Sequence, residues 1–215
     1  MPDEYVEFGH RWTELQPDWK VRTWTESDLD WLSNCSAFDD APLLSSKSNI
    51  ARYEIVFREG GLYVDCDVEP LRSIEPLIDR AELVVSEERP GYLGNEFFGA
   101  VAGHPVLRYA VDNVSKSHFA LDDAISPART GPEFWSRCVR RTCAELDITP
   151  TVLTRDQIYP YTWTQPHLRN EQFPQAWAVH HWAKSWVAPE QPDTDRGGTA
   201  RRRLRTQLSL SLIHI

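Results

Sequence analysis

Apolar residues recur at three- and four-residue intervals at the start of the chain, at Phe8, Trp12, Leu15 and Trp19. That spacing lays them along one stripe of a helix, which Pro17 stops. Lys20 to Trp24 then alternates like a short strand, and Thr25-Glu26-Ser27-Asp28 reads as a helix start. Residues 29–46 show no period, are acidic at Asp39-Asp40, and are expected to be irregular. A second stripe, Ile50, Tyr53 and Phe57, predicts a helix with Ser46 or Ser48 as its N-cap. It ends at Gly60-Gly61, which allow the left-handed turn that closes a helix. Leu62-Tyr63-Val64 follows with the β-branched and aromatic character of a buried strand.

The prolines at 70 and 76 keep residues 70–78 out of regular helix. Glu82 to Ser86 and Asn95 to Ala100 read as strands, separated by a loop at Gly91 to Gly94. Gly103-His104-Pro105 is a turn, and Val106 to Val114 a helix. Thr130-Gly131-Pro132 opens another helix, which runs through Phe134, Cys138 and Arg141 to about Leu146. Thr151 to Leu153 is a short strand. From Pro189 the pattern is lost, so one α/β domain is expected over 1–188, with a linker and a basic, irregular tail over 189–215.

Composition narrows the class. The 215 residues, 41% hydrophobic and 26% charged, suffice for one well-buried core. A net charge of −9 argues against a non-specific nucleic-acid binder. The nine tryptophans are read mostly as core. Cys35, Cys66, Cys138 and Cys143 form no paired C-x-x-C set, so a structural zinc site is not expected and ordinary thiols are. Met1 begins a polar stretch without a signal-peptide pattern, and no apolar run nears the ~20 residues that span a bilayer. The expected location is the cytoplasm. Peripheral attachment at the inner membrane surface is a further expectation, for which the Arg201 to Arg205 run offers basic charge.

The chemistry concentrates after the second helix. Asp65 and Asp67 sit where a buried strand ends, the place where open α/β sheets bind ligands. Side chains alternate in an extended segment, so these two point to one side. Two adjacent carboxylates repel and are costly to desolvate. A divalent cation removes that cost, and an open set of oxygen ligands suits Mg²⁺ or Mn²⁺. Taken alone, D-x-D is more often a solvated acidic turn.

The longer run, S-N-I-A-R-Y-E-I-V-F-R-E-G-G-L-Y-V-D-C-D, resembles the D-x-D segment of glycosyltransferase family 32. Arg52, Tyr53, Gly60, Gly61, Tyr63, Asp65 and Asp67 stand at the matching positions. Asn49 stands where the family usually has Asp. Asn95-Glu96-Phe97-Phe98-Gly99-Ala100 is similar to the family's N-x-F-I/F-G-A strand, Tyr159-Pro160-Tyr161-Thr162-Trp163 to its Y-P-Y/F-x-W, and Thr130-Gly131-Pro132 to its T-G-P. Ala178 to Trp186 resembles the family ending a-x-H-x-x-x-x-S-W, with His180 at the matching position. The apolar I-P-K-x-I-H-x-x-W strand that usually opens the family is not seen, so either the gene product is truncated or another strand substitutes.

The resemblance implies a GT-A-like nucleotide-sugar fold with a mixed, mainly parallel sheet flanked by helices. It implies retaining transfer of a sugar from a nucleotide-diphosphate donor to a glycan or lipid-linked acceptor. Asp65 and Asp67 would be the catalytic pair and, with His180, hold Mn²⁺ or Mg²⁺. Asn49, Arg52, Tyr63, Asn95, Ser185 and Trp186 would bind the donor. No side-chain nucleophile is identified. An inactive sugar- or nucleotide-binding remnant of the same fold is the alternative, favoured by Asn49 and the unseen first strand.

Overall fold

A computed structural model of the chain describes residues 2–120, 128–183 and 209–214. The elements run α1 (Asp3–Leu15), β1 (Lys20–Thr25), α2 (Cys35–Asp40), α3 (Leu44–Glu59), β2 (Gly61–Val64), β3 (Val68–Pro70) and α4 (Glu75–Ile78). They continue with β4 (Leu83–Arg89), β5 (Tyr92–Ala100), α5 (Pro105–Ala120), α6 (Pro132–Leu146), β6 (Thr151–Leu153), α7 (Arg155–Ile158), β7 (Ala178–His180) and β8 (Ser209–His214).

The main sheet has six strands in the order β1-β8-β2-β5-β4-β6. Strands β1, β2, β4 and β6 point one way, and β5 and β8 run against them. The sheet is therefore α/β and mixed, with most strands in one direction, as expected. Because the reversed strands are interleaved, the only parallel ladder among those described is β4–β6. Strands β3 and β7 form a separate antiparallel pair, Val68 opposite His180.

The alternation along β2 divides the core. Tyr63 faces one side, where α3, α5 and α6 cover the sheet with Tyr53, Ile55, Val114, Phe134 and Trp135. Leu62 and Val64 face the other, among Trp12, Ile74, Ile158 and Tyr159. Period-two alternation thus makes one short strand the wall between two apolar layers. Trp12 and Trp19 belong to this core, as expected for scaffold residues. All four cysteines are free thiols.

Several local expectations are corrected. Residues 29–46 are not irregular. They contain α2 and the start of α3, held by the Glu54 carboxylate, which accepts the backbone N–H groups of Ser33 (2.7 Å) and Asn34 (2.8 Å). This cap comes from twenty residues downstream, outside any local pattern. Helix α3 starts at Leu44 with no side-chain cap, so Ser46 and Ser48 lie inside it and neither is the N-cap. Pro76 sits at the start of the single-turn helix α4, where its missing N–H costs nothing, so residues 70–78 do hold a helix. The loop foreseen at 91–94 shrinks to a hairpin turn at Gly91 (φ 72°), and β5 already begins at Tyr92.

The terminal segment is also corrected. Its Leu-Ser-Leu-Ser-Leu alternation has the period of a strand, and residues 209–214 lie as β8 between β1 and β2, antiparallel to both. This strand, which belongs to no part of the family pattern, lies beside β2. The Arg201 to Arg205 run lies outside the described residues.

Candidate functional site

The site begins where α3 turns into β2. Gly60 caps the helix at φ 73°, and a Cβ there would lie 2.8 Å from the Ala102 backbone nitrogen. Only glycine fits both the angle and the space. The turn sends β2 back along α3, which brings Arg52 beneath the strand's end. The β2–β5 ladder continues one step past Val64, with the Asp65 N–H donating to the Glu96 carbonyl (2.9 Å). Asp65 is therefore fixed by its backbone before its side chain makes any contact.

Arg52 is 3% exposed and spends its guanidinium inside the protein. Its Nε donates to the Ser48 carbonyl (3.2 Å), one terminal nitrogen to the Asn95 carbonyl (2.5 Å), and the other to Ser48 Oγ (2.6 Å). That last nitrogen also lies 3.0 Å from Asp65 Oδ1, which accepts the Tyr63 hydroxyl as well (2.5 Å). Burial pushes the Asp65 carboxyl up, and the nearby Asp67 charge adds to this against the pull of Arg52. Arg52 itself is held protonated: burial works against its charge, but Asp65, Tyr63, Tyr53 and Glu96 together outweigh it.

Asp67 sits on the other side and is 6% exposed. The β3–β7 pair brings His180 to it, with Nε2 3.4 Å from Oδ2. The Ala183 N–H donates to the same oxygen (2.8 Å), and the His181 N–H to the Asp67 carbonyl (2.9 Å). Trp182 takes a left-handed backbone angle, φ 54°, between these two donors. Such an angle costs a non-glycine residue roughly 1–3 kcal/mol, and the turn it makes carries the Ala183 N–H to the carboxylate. Burial alone would raise Asp67, but the charge and hydrogen bond of His180 outweigh it and hold the carboxyl down at about 2. The imidazole is lifted to about 9: burial works against its charge, but the charge and hydrogen bond of Asp67 and the charges of Glu96 and Asp65 together outweigh it.

Ligating atoms of Asp65, Asp67 and His180 lie within 4.8 Å of one another. His180 Nδ1 is buried without a hydrogen-bond partner among the described residues. Two carboxylates and an imidazole, drawn together at a strand end, fit a Mn²⁺- or Mg²⁺-sized cation.

Beside the acidic pair lies an amide network. Asn95 Nδ2 donates to Asn49 Oδ1 (2.9 Å) and to the Tyr53 hydroxyl (2.9 Å). Asn49 Nδ2 reaches Thr130 Oγ1 (3.4 Å), and the Tyr53 hydroxyl donates to the Thr130 carbonyl (2.8 Å). Asn95 is a buried residue of β5.

The structure thus gathers Asn49, Arg52, Tyr63, Asp65, Asp67, Asn95 and His180 around one strand end. Ser185 and Trp186 lie outside the described residues. The sequence reading missed Ser48, which positions Arg52, and Glu96, a buried carboxylate whose Oε1 is 3.7 Å from His180 Nδ1. A Glu set directly before Phe97-Phe98 in an apolar strand was the available signal. The His181 side chain points away from the pair, with Nε2 donating to the Glu69 carboxylate (2.9 Å) and Nδ1 hydrogen-bonded to the Tyr161 hydroxyl (3.0 Å).

Comparison with known proteins agrees with this geometry. Residues 2–84 match the family described as "Glycosyltransferase sugar-binding region containing DXD motif". Inositol phosphoceramide mannosyltransferase 1 of Schizosaccharomyces pombe is 30% identical over 102 residues, 47% of this chain and 31% of that protein. Inositol phosphoceramide mannosyltransferase 3 of the same yeast is 27% identical over 127 residues, 55% and 35% of the two chains. Human alpha-1,4-N-acetylglucosaminyltransferase is 29% identical over 115 residues, 54% of this chain and 31% of that one. The chain spans about a third of the length of these relatives. A solved structure, the PaToxG glycosyltransferase, overlays on 56% of this chain and 44% of its own at a TM-score of 0.46 and 15% identity. With Asp65-Cys66-Asp67 as their D-x-D, residues 2–84 are similar to the sugar-binding region of DXD-containing glycosyltransferases.

Proposed function

We propose that the chain transfers a sugar, with retention of configuration, from a nucleotide-diphosphate donor to a glycan or lipid-linked acceptor. The observation that carries this reading is the meeting of Asp65, Asp67 and His180 at one point, although more than a hundred residues separate the two aspartates from the histidine. A divalent cation bound there would neutralise charge growing on the leaving diphosphate.

The protein's own groups supply the rest. Arg52 and the Tyr63 hydroxyl hold Asp65 in place, and the Ala183 N–H holds Asp67. Because these partners are buried and already bonded, the carboxylates need little reordering when the donor arrives. Asn49 and Asn95 present amide donors and acceptors suited to sugar hydroxyls. The names of the yeast relatives favour a mannosyl donor and an inositol-phosphate lipid acceptor, whereas the human relative's name favours N-acetylglucosamine.

The direct test incubates the protein with Mn²⁺ and a panel of nucleotide sugars, with and without lipid acceptors, and follows released nucleotide and product. Turnover of one donor supports transfer. Donor binding without turnover supports the remnant reading, and absence of both contradicts the proposal.

A further inference from the structure

We infer that Glu96 is a positioning residue for the cation site, acting through His180 by taking the Nδ1–H of the ring and turning Nε2 towards Asp67 and Asp65. The inference rests on the proposed metal-dependent reading of the site. Its first support is that the two ring nitrogens face two different carboxylates. Nε2 lies 3.4 Å from Asp67 Oδ2, and Nδ1 lies 3.7 Å from Glu96 Oε1 on the opposite edge. The second distance is just beyond a hydrogen bond, and a small rotation of the ring closes it. Nδ1 has no other hydrogen-bond partner among the described residues.

A second support is the cost of placing a carboxylate there at all. Glu96 is 5% exposed, between the buried Asn95 and Phe97 on β5. A buried carboxylate is retained only with partners. The Tyr159 hydroxyl is one of them, and that hydroxyl is also shared with Ser86 Oγ (2.5 Å). The chain keeps room for this arrangement at Gly94, where a Cβ would come within 2.6 Å of Glu96 Oε1 and closer still to the Tyr159 hydroxyl. Glu96 also registers the acidic pair, since its carbonyl accepts the Asp65 N–H (2.9 Å). One residue therefore touches both halves of the site, by backbone at Asp65 and by side chain at His180.

A ligating histidine ordinarily gives its second N–H to such an acceptor, which fixes the ring's orientation. Glu96 is outside the ligand cluster itself, which joins only Asp65, Asp67 and His180 among the described residues. Its position is that of the outer partner.

The test is Mn²⁺ binding by calorimetry to the whole chain, comparing wild type, Glu96→Met, Glu96→Gln, His180→Ala and the Glu96→Met/His180→Ala double variant. Methionine keeps the length and suits an irregular core, and glutamine keeps an acceptor. Glu96→Met is expected to weaken Mn²⁺ roughly 10–100-fold. Glu96→Gln should lie nearer wild type than Glu96→Met does. In the His180→Ala background, Glu96→Met should add nothing, because its effect passes through the ring. Wild-type affinity in Glu96→Met and Glu96→Gln alike, or an equal loss with and without His180, overturns the inference while leaving the metal site standing. If wild type binds no Mn²⁺, the metal-dependent reading itself falls, and the inference with it.

Discussion

Asp65 and Asp67 are separated by one residue, yet the protein treats them oppositely. Asp65 is held by neighbours from the same short stretch of chain, Ser48, Arg52 and Tyr63, and its carboxyl is pushed up by burial. Asp67 is held by a segment more than a hundred residues away, through His180, His181 and Ala183, and is drawn down to about 2. The side chains that hold the first half come from the helix–glycine–strand unit, and β5 adds the Glu96 carbonyl at the Asp65 N–H and the Asn95 carbonyl at Arg52. The second exists only once β7 has docked on β3. The difference teaches that one carboxylate of the D-x-D is held mainly by side chains close to it in sequence and the other by long-range closure.

The largest effect should come from the carboxylate that depends on closure. Asp67→Ala, or an excess of chelator, should lower donor turnover by at least about a hundredfold, the scale of losing one preorganised charge-stabilising group. Far-ultraviolet circular dichroism should show the fold retained. Full turnover in excess chelator would remove the cation from the account.

Removing the anchor of Asp65 should be read in stability. Arg52→Met leaves a partly buried carboxylate and the Asn95 carbonyl without their partner. Breaking a buried pair this way costs about 3–5 kcal/mol, so the urea midpoint should fall by a large fraction. A midpoint close to wild type would mean that Arg52 is not the strut of this half.

The pH dependence separates the halves further. In the metal-free protein, His180 is raised to about 9, above an unfolded value of about 6.5. Its stabilising contribution is full below about 6.5 and fades as pH rises through about 9. Asp67, depressed to about 2, contributes above about 4 and loses that contribution as pH falls through about 2. Urea unfolding should therefore show this pair's stabilisation greatest between about pH 4 and 6.5. A cation needs the imidazole neutral, so Mn²⁺ affinity should climb up to about tenfold per pH unit from 7 towards 9. A flat affinity over that range would exclude His180 as a ligand.

The contrast also marks what the sequence made legible. The local half was readable, because helix, Gly60-Gly61, aromatic strand and acidic pair lie within twenty residues of one another. His180 was readable only through resemblance to a family ending, since nothing in its neighbours points to Asp67. Arg52's burial was not readable: its position lies off the Ile50–Tyr53–Phe57 stripe, and only packing of α3 on β2 shows where it goes. Glu54 escaped notice for a similar reason, as its capping targets, Ser33 and Asn34, precede it by a whole helix and loop. Glu96 escaped because the strand was read for its Asn95 and its phenylalanines. Sheet order was beyond reach too, since the reversed strand β8 pairs with β1 and β2, both far away in sequence.

The smallest effect is expected at the amide network. Asn49→Asp replaces a neutral acceptor with a charged one beside Asn95 and Thr130, and charged hydrogen bonds are worth roughly 1.5–3 kcal/mol against ~1 for neutral ones. It should change the ratio of turnover between competing nucleotide sugars more than the affinity for free nucleoside diphosphate. A tenfold change in diphosphate affinity with an unchanged sugar preference would place Asn49 away from the sugar.

The most direct measurement is a crystal of the whole chain grown with Mn²⁺ and a nucleoside diphosphate, with anomalous scattering used to locate the ion. The account predicts one strong peak bonded to Asp65, Asp67 and His180, with the diphosphate completing its coordination. A peak bonded to other residues, or no peak at saturating Mn²⁺ with the diphosphate bound, would contradict it.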